Sequence, residues 1–132
     1  MDKSLDTPLS GDASQVTGKR ILVVDDSVGM RRMLAHYVLK PAGYDVLTAR
    51  DGAEGLTLAL DLRPDLLIVD YKMPGLAGLE LLSALNQEGL HIPAILVTAQ
   101  RSERLAARAA QAGVRACLVK PFDADEILQA VQ

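Results

Sequence analysis

A single cysteine, Cys117, stands in 132 residues, which excludes an internal disulfide and a cysteine-based zinc site. That usage fits a reducing compartment. Positive charge is also short: the formal net charge is −3, so no global positive field draws in nucleic acid or an anionic membrane, and a partner must be recognised locally. No stretch approaches the ~18 apolar residues of a membrane span. The start of the chain carries no apolar signal core, and together these absences read as a cytoplasmic protein. The two histidines, His36 and His91, lie far apart without an acidic neighbour and receive no role.

What is present is apolar surface, 49% of the side chains, enough for one core in a chain of this length. Residues 1–18, MDKSLDTPLSGDASQVTG, are rich in Ser, Thr, Asp, Gly and Pro without a sustained apolar period, and read as a mobile tail. Residues 19–132 form the domain. There, five short apolar runs occur: ILVV (21–24), YDVLTA (44–49), LLIV (66–69), AILV (94–97) and ACLV (116–119). Each has the length and composition of a parallel strand buried on both faces.

Between the runs lie five segments of helical period. Met30, Leu34, Tyr37 and Val38 share a face in the first, and Ala53, Leu56 and Leu60 in the second. Leu79, Leu82 and Leu85 mark the third, Leu105 and Ala109 the fourth, and Ile127, Leu128 and Val131 the fifth. Pro41 with Gly43, then Pro64, Gly89 and Gly113, punctuate the first four helices. Five βα units in a row predict an α/β fold, a doubly wound parallel sheet with right-handed crossovers. The flavodoxin-like strand order 2-1-3-4-5 follows, with ligands outside the carboxyl ends of the strands beside the first and third.

The chemistry gathers at those ends. The first strand runs into Asp25 and Asp26, the third into Asp70, the fourth into Thr98 and the fifth into Lys120; the second delivers nothing comparable. Two carboxylates about 5 Å apart repel by roughly 3 kcal/mol at an effective dielectric near 20, so three need positive compensation. Lys120 supplies one charge. Oxygen-only ligands suit Mg²⁺, which takes one or two carboxylates and keeps waters that a phosphate oxygen can replace. A nucleophilic Asp can accept a phosphoryl group as an acyl phosphate, with Lys120 and the Thr98 hydroxyl stabilising its oxygens. Asp70 is the best nucleophile: it stands singly on the central strand, whereas the Asp25–Asp26 pair suits a cation.

The segments ILVVDDS, LLIVDYKMPGLAGLELL, IPAILVTA and GVRACLVKPF, in that order and spacing, resemble the response-regulator receiver domains of two-component signalling over about residues 19–132. The resemblance implies that Asp70 is the phosphoacceptor, charged by a histidine kinase or a histidine phosphotransfer protein. Asp25, Asp26, Asp70 and the backbone carbonyl of Lys72 hold Mg²⁺, Thr98 is the switch hydroxyl, and Lys120 bonds the phosphoryl group from the other side. It further implies a cis bond before Pro121 and a turn through Met73, Pro74, Gly75 and Gly78. Lys72, Ala99 and Gln100 hold positions that tune access and phosphate lifetime. Such a protein is a binding switch without a separate substrate, not an enzyme in its own right, acting through the face of the fourth helix, fifth strand and fifth helix. Its downstream partner is a protein, and dimerisation on phosphorylation stays open.

Cys117 departs from the pattern, since receivers commonly carry Tyr or Phe there as part of the switch. The expectation is therefore signalling mainly through the fourth helix and its flanking loops, the helix, RSERLAARAAQAG, having alanines that anchor it less firmly than leucines would. Its Arg101, Arg104 and Arg108 form either a solvated face or a docking stripe. Three rival readings remain. A small aspartyl phosphatase or phosphotransferase would carry an Asp where Lys72 stands, and a dinucleotide-binding module would carry a GxGxxG after the first strand. A pseudo-receiver would lack acceptor-site residues that are all present. No output domain is visible, and both a stand-alone receiver and a receiver cut from a larger regulator or hybrid kinase stay open.

Overall fold

A computed structural model describes residues 18–132; the tail expected over residues 1–18 lies outside these except for Gly18. Five strands, β1 (Arg20–Val24), β2 (Asp45–Ala49), β3 (Leu66–Asp70), β4 (Ala94–Thr98) and β5 (Val114–Val119), form one sheet in the order β2-β1-β3-β4-β5. All the pairings are parallel. Helices follow each strand: α1 (Val28–Arg32), which runs on into a π-helical stretch (Met33–Leu39), α2 (Gly52–Leu62), α3 (Gly78–Gln87), α4 (Glu103–Gln111) and α5 (Ala124–Val131). The expected strand order and doubly wound architecture are present. Most strands reach further than the apolar runs: β3 and β4 include Asp70 and Thr98 as their last residues, and β5 begins at Val114, directly after Gly113, whereas β2 starts one residue inside its run, at Asp45.

The period of two along each strand splits the core into two layers. Leu22, Val24, Leu67, Val69 and Leu96 face α2, α3 and α4, where they meet Ala59, Leu81, Leu85 and Leu105. Ile21, Val23, Ile68, Ile95 and Val97 face α1 and α5, where they meet Leu34, Val38, Leu39 and Ile127. β3 and β4 are buried along their whole length, which is why they read as unbroken apolar runs. A register irregularity between Ala94 and Ile95 leaves Arg115 unpaired with β4. Its guanidinium instead donates to the Val131 carbonyl at 3.2 Å, tying the end of α5 to the sheet.

Two helical faces differ from the expectation. Tyr37 is 72% exposed, and Ala35 and Leu39 are buried in its stead. In the π-helical stretch the Lys40 amide bonds to the Ala35 carbonyl, five residues back, so each turn takes up more residues and the buried stripe drifts away from position 37. In α2, Ala53 and Leu60 are exposed while Gly52, Gly55 and Ala59 are buried. A Cβ on Gly55 would stand 2.9 Å from a Val24 methyl. The small residues let α2 sit close to β1, and its leucines spread along the flanks.

Candidate functional site

The register of the sheet decides which side chains meet. Val24 pairs with Val69 across β1 and β3, so the chain leaving β1 places Asp25 and Asp26 beside Asp70. On the other side the Asp25 amide donates to the Ala49 carbonyl at the end of β2, at 3.1 Å. The second strand brings no functional side chain to the edge but does hold the backbone that presents Asp25. Thr98 pairs with Val119, and the Lys120 amide donates to the Thr98 carbonyl at 2.8 Å, which fixes the end of β5 against β4.

One oxygen from each of Asp25, Asp26 and Asp70 lies within 4.8 Å of the others. Asp25 and Asp70 are 2% and 7% exposed, whereas Asp26 faces solvent. The Lys120 ammonium stands 3.4 Å from Asp70 Oδ1 and 3.9 Å from Asp25 Oδ2. Burial raises the Asp25 carboxyl above its ordinary pKa; the Ser27 amide opposes this, the nearby Asp70 adds to it, and Lys120 opposes it. Burial likewise raises Asp70, with Lys120 opposing and Asp26 adding. Loss of hydration therefore outweighs the one cation at both buried carboxylates. Three carboxylates with a single ammonium leave negative charge in excess, and an all-oxygen donor set of that kind fits a hard divalent cation.

Local geometry holds these groups still. Asp25 Oδ1 accepts from the Ser27 amide at 2.9 Å, while Ser27 Oγ caps α1 by accepting from the Met30 amide at 3.2 Å. The Arg31 guanidinium donates to the Asp25 carbonyl at 2.8 Å, a contact the sequence reading did not anticipate. Beyond Asp70, the Tyr71 amide donates to the Val97 carbonyl at 2.7 Å and the Gly78 amide to the Tyr71 carbonyl at 3.1 Å. A Cβ on Gly78 would stand 2.6 Å from the Asp70 carbonyl oxygen, so only glycine lets the turn fold back so closely onto the strand end. Gly75 supplies the reversal with φ +76°, and the Lys120–Pro121 peptide bond is cis.

The remaining site candidates are more dispersed. Thr98 is buried, and its hydroxyl exchanges hydrogen bonds with the backbone of Gln100, donating to the carbonyl at 3.2 Å and accepting from the amide at 3.3 Å. Lys72, Ala99 and Gln100 are exposed and line, with Asp70 and Thr98, a cleft of about 550 Å³ that runs towards α4. Its far wall carries Arg104 and Arg108. Cys117 is half-buried within β5, paired with Leu96 and outside the cleft lining; burial raises its thiol pKa. His91 bonds Asn86 at 3.0 Å, well away from the carboxylates in sequence and topology. Among the described residues no helix is long and apolar enough to cross a membrane.

Known proteins share this fold. The family model described as response regulator receiver domain matches residues 21–132. Sporulation initiation phosphotransferase F of Bacillus subtilis is 34% identical over 114 residues, 86% of this chain and 91% of that protein. The alkaline phosphatase synthesis transcriptional regulatory protein PhoP, also of Bacillus subtilis, is 38% identical over 109 residues, 83% of this chain but only 45% of PhoP. Among solved structures, the chemotaxis protein CheY4 of Vibrio cholerae superposes with a TM-score of 0.82 at 34% identity, covering 88% of this chain and 98% of that one.

Proposed function

The chain belongs to the response regulator receiver domain family, and from that premise we propose that it is a phosphorylation-controlled binding switch whose acceptor is Asp70. The carrying observation is the position of that carboxylate: buried at the end of the central strand, in reach of Lys120 and clustered with Asp25 and Asp26. The donor is a phosphohistidine of a histidine kinase or a phosphotransfer protein. An Asp70 oxygen forms the new bond to phosphorus as the bond from phosphorus to the imidazole nitrogen breaks. The imidazole leaves with the electron pair and takes up a proton.

The residues divide the work by charge. Asp25, Asp26 and Asp70 would hold Mg²⁺, with the Lys72 backbone carbonyl as a further ligand. Bound there, Mg²⁺ supplies the positive charge that the cluster lacks and that the phosphoryl oxygens need. Lys120 neutralises one phosphoryl oxygen, as its position beside Asp70 already allows. Thr98 can turn its hydroxyl from the Gln100 backbone to a phosphoryl oxygen, a rotation about one side-chain bond that couples the acceptor to the loop leading into α4.

The domain has no second substrate in this reading. A small aspartyl phosphatase would need an acid two residues past the nucleophile, where exposed Lys72 stands. The product of the chemistry is a change in which protein the α4–β5–α5 face binds, in a cytoplasmic relay, without nucleic-acid or membrane contact by this domain. Reduction of the phosphorylated protein with borohydride tests the assignment: conversion of residue 70 to homoserine, found by peptide mass spectrometry, is expected, and a reduced residue elsewhere would contradict it.

A further inference from the structure

We propose that Arg104 and Arg108 of α4 are phosphoryl-binding residues, which draw α4 towards phosphorylated Asp70 and so replace the aromatic coupling that Cys117 cannot provide. This rests on the reading of Asp70 as acceptor and adds a second set of ligands for its phosphoryl group.

Arg104 and Arg108 lie one turn apart on α4 and line the same cleft as Asp70 and Lys120. Lys72 and Ser102 also line it, and Lys72, Arg104, Arg108 and Lys120 together set four cationic side chains beside the three clustered carboxylates of Asp25, Asp26 and Asp70. Lys120 is paired with Asp70 and Asp25. Among the described residues, no ion pair or side-chain hydrogen bond engages Arg104, Arg108 or Lys72. Lys72, Arg104 and Arg108 are thus left available to a further anion in the cleft. A phosphoryl group on Asp70 adds close to two negative charges and three strong acceptor oxygens, and opposite arginines such a group forms new charge-assisted hydrogen bonds.

The helix is able to respond. Only Leu105 and Ala109 of α4 are buried, and Arg101, Glu103, Ala106 and Ala107 face solvent. Few apolar contacts hold it, so a modest electrostatic pull shifts its equilibrium. The Ser102 hydroxyl caps its first turn by accepting from the Leu105 amide at 3.1 Å, which keeps the helix intact as it moves. Cys117 packs half-buried against the cluster that holds Leu105 and Ala109 and does not line the cleft.

The experiment is hydrogen exchange of the full chain with and without acetyl phosphate and Mg²⁺, in the wild type, Arg104→Ala/Arg108→Ala and Arg104→Lys/Arg108→Lys. Both arginines are exposed on a helix, where alanine is a good helix former, so the variants fold. The wild type is expected to show α4 amides exchanging about tenfold more slowly once phosphorylated, a change of about 1.4 kcal/mol in opening free energy. The double alanine variant is expected to take up the phosphoryl group yet lose that protection, and the lysine variant to regain part of it. Equal protection in wild type and alanine variant, with both phosphorylated, would overturn the arginine role alone. Failure of the wild type to take up a phosphoryl group would overturn the acceptor assignment and this inference with it.

Discussion

Lys120 Nζ stands 3.4 Å from Asp70 Oδ1, so the cation that follows the edge strand faces the carboxylate that ends the central one. The same ammonium reaches Asp25 Oδ2 at 3.9 Å, and its removal leaves two buried carboxylates without a counter-charge. Lys120→Met is expected to lower stability at neutral pH by about 1–3 kcal/mol in metal-free buffer, the usual cost of orphaning a buried polar partner. Saturating Mg²⁺ should shrink that deficit, because the carboxylates freed of Lys120 bind the cation more tightly than in the wild type and the variant's folded state gains more by mass action. Thermal melts with EDTA and with Mg²⁺ measure both effects.

The pH dependence of Asp70 follows from its raised pKa. Burial makes the folded chain hold this proton more tightly than the unfolded chain, so the folded state binds more protons between the ordinary carboxylate range and the raised value. Stability from this group is therefore fully present in acid and falls as pH rises through that window. Asp70→Asn is neutral throughout and escapes the loss. In EDTA the variant is expected to melt above the wild type at pH 7, with the difference closing as the pH falls into the ordinary carboxylate range. A variant less stable than wild type at pH 7, or a gap that widens in acid, would contradict the assignment of Asp70 as a carboxylate whose burial raises its pKa.

Gly78→Ala puts a methyl against the Asp70 carbonyl oxygen and 3.0 Å from a Leu96 methyl, with backbone on one side and core on the other. Neither can give way cheaply. A loss of roughly 1–3 kcal/mol is expected, as for other overpacked sites, together with slower phosphorylation as the strand end shifts. Urea titration and the phosphorylation rate report the two consequences separately.

The sheet and its polar ends were legible because the two central strands are buried on both faces: LLIV and AILV admit no polar residue until Asp70 and Thr98 reach the edge. The faces of α1 and α2 were less so. Tyr37 fits a 3.6-residue period that the π-helical stretch does not keep, and no local signal marks that stretch. In α2 the close approach to β1 is made at Gly55, and Gly52 packs against Leu76, two small residues that an apolar periodicity does not register. The carboxylate cluster could be assembled from strand ends alone, but the Arg31 bond to the Asp25 carbonyl depends on how α1 leaves β1. The arginines of α4 were visible as a stripe, while their place on one cleft with Asp70 is a property of the packed helix.

Lys72 and Gln100 flank the acceptor from two different loops, both exposed and both on the cleft. In the proposed reading they control how a hydrolytic water approaches phosphorylated Asp70 without holding the phosphoryl group in the transfer step. Lys72→Ala and Gln100→Ala are expected to change the phosphate half-life several-fold, on the order of 1 kcal/mol in barrier height, while leaving phosphorylation intact. Decay of the phosphorylated species, followed by mass after the donor is removed, gives the half-lives. Identical values in both variants and the wild type would remove the tuning role.

The central claim is that Asp70 accepts a phosphoryl group in a site completed by Mg²⁺. Intact mass after incubation with acetyl phosphate and Mg²⁺, beside an EDTA control and Asp70→Asn, tests it most directly. One phosphoryl mass in the wild type, absent from both controls, is the predicted result; an adduct that persists in Asp70→Asn or in EDTA, or none in a folded wild type, would contradict it.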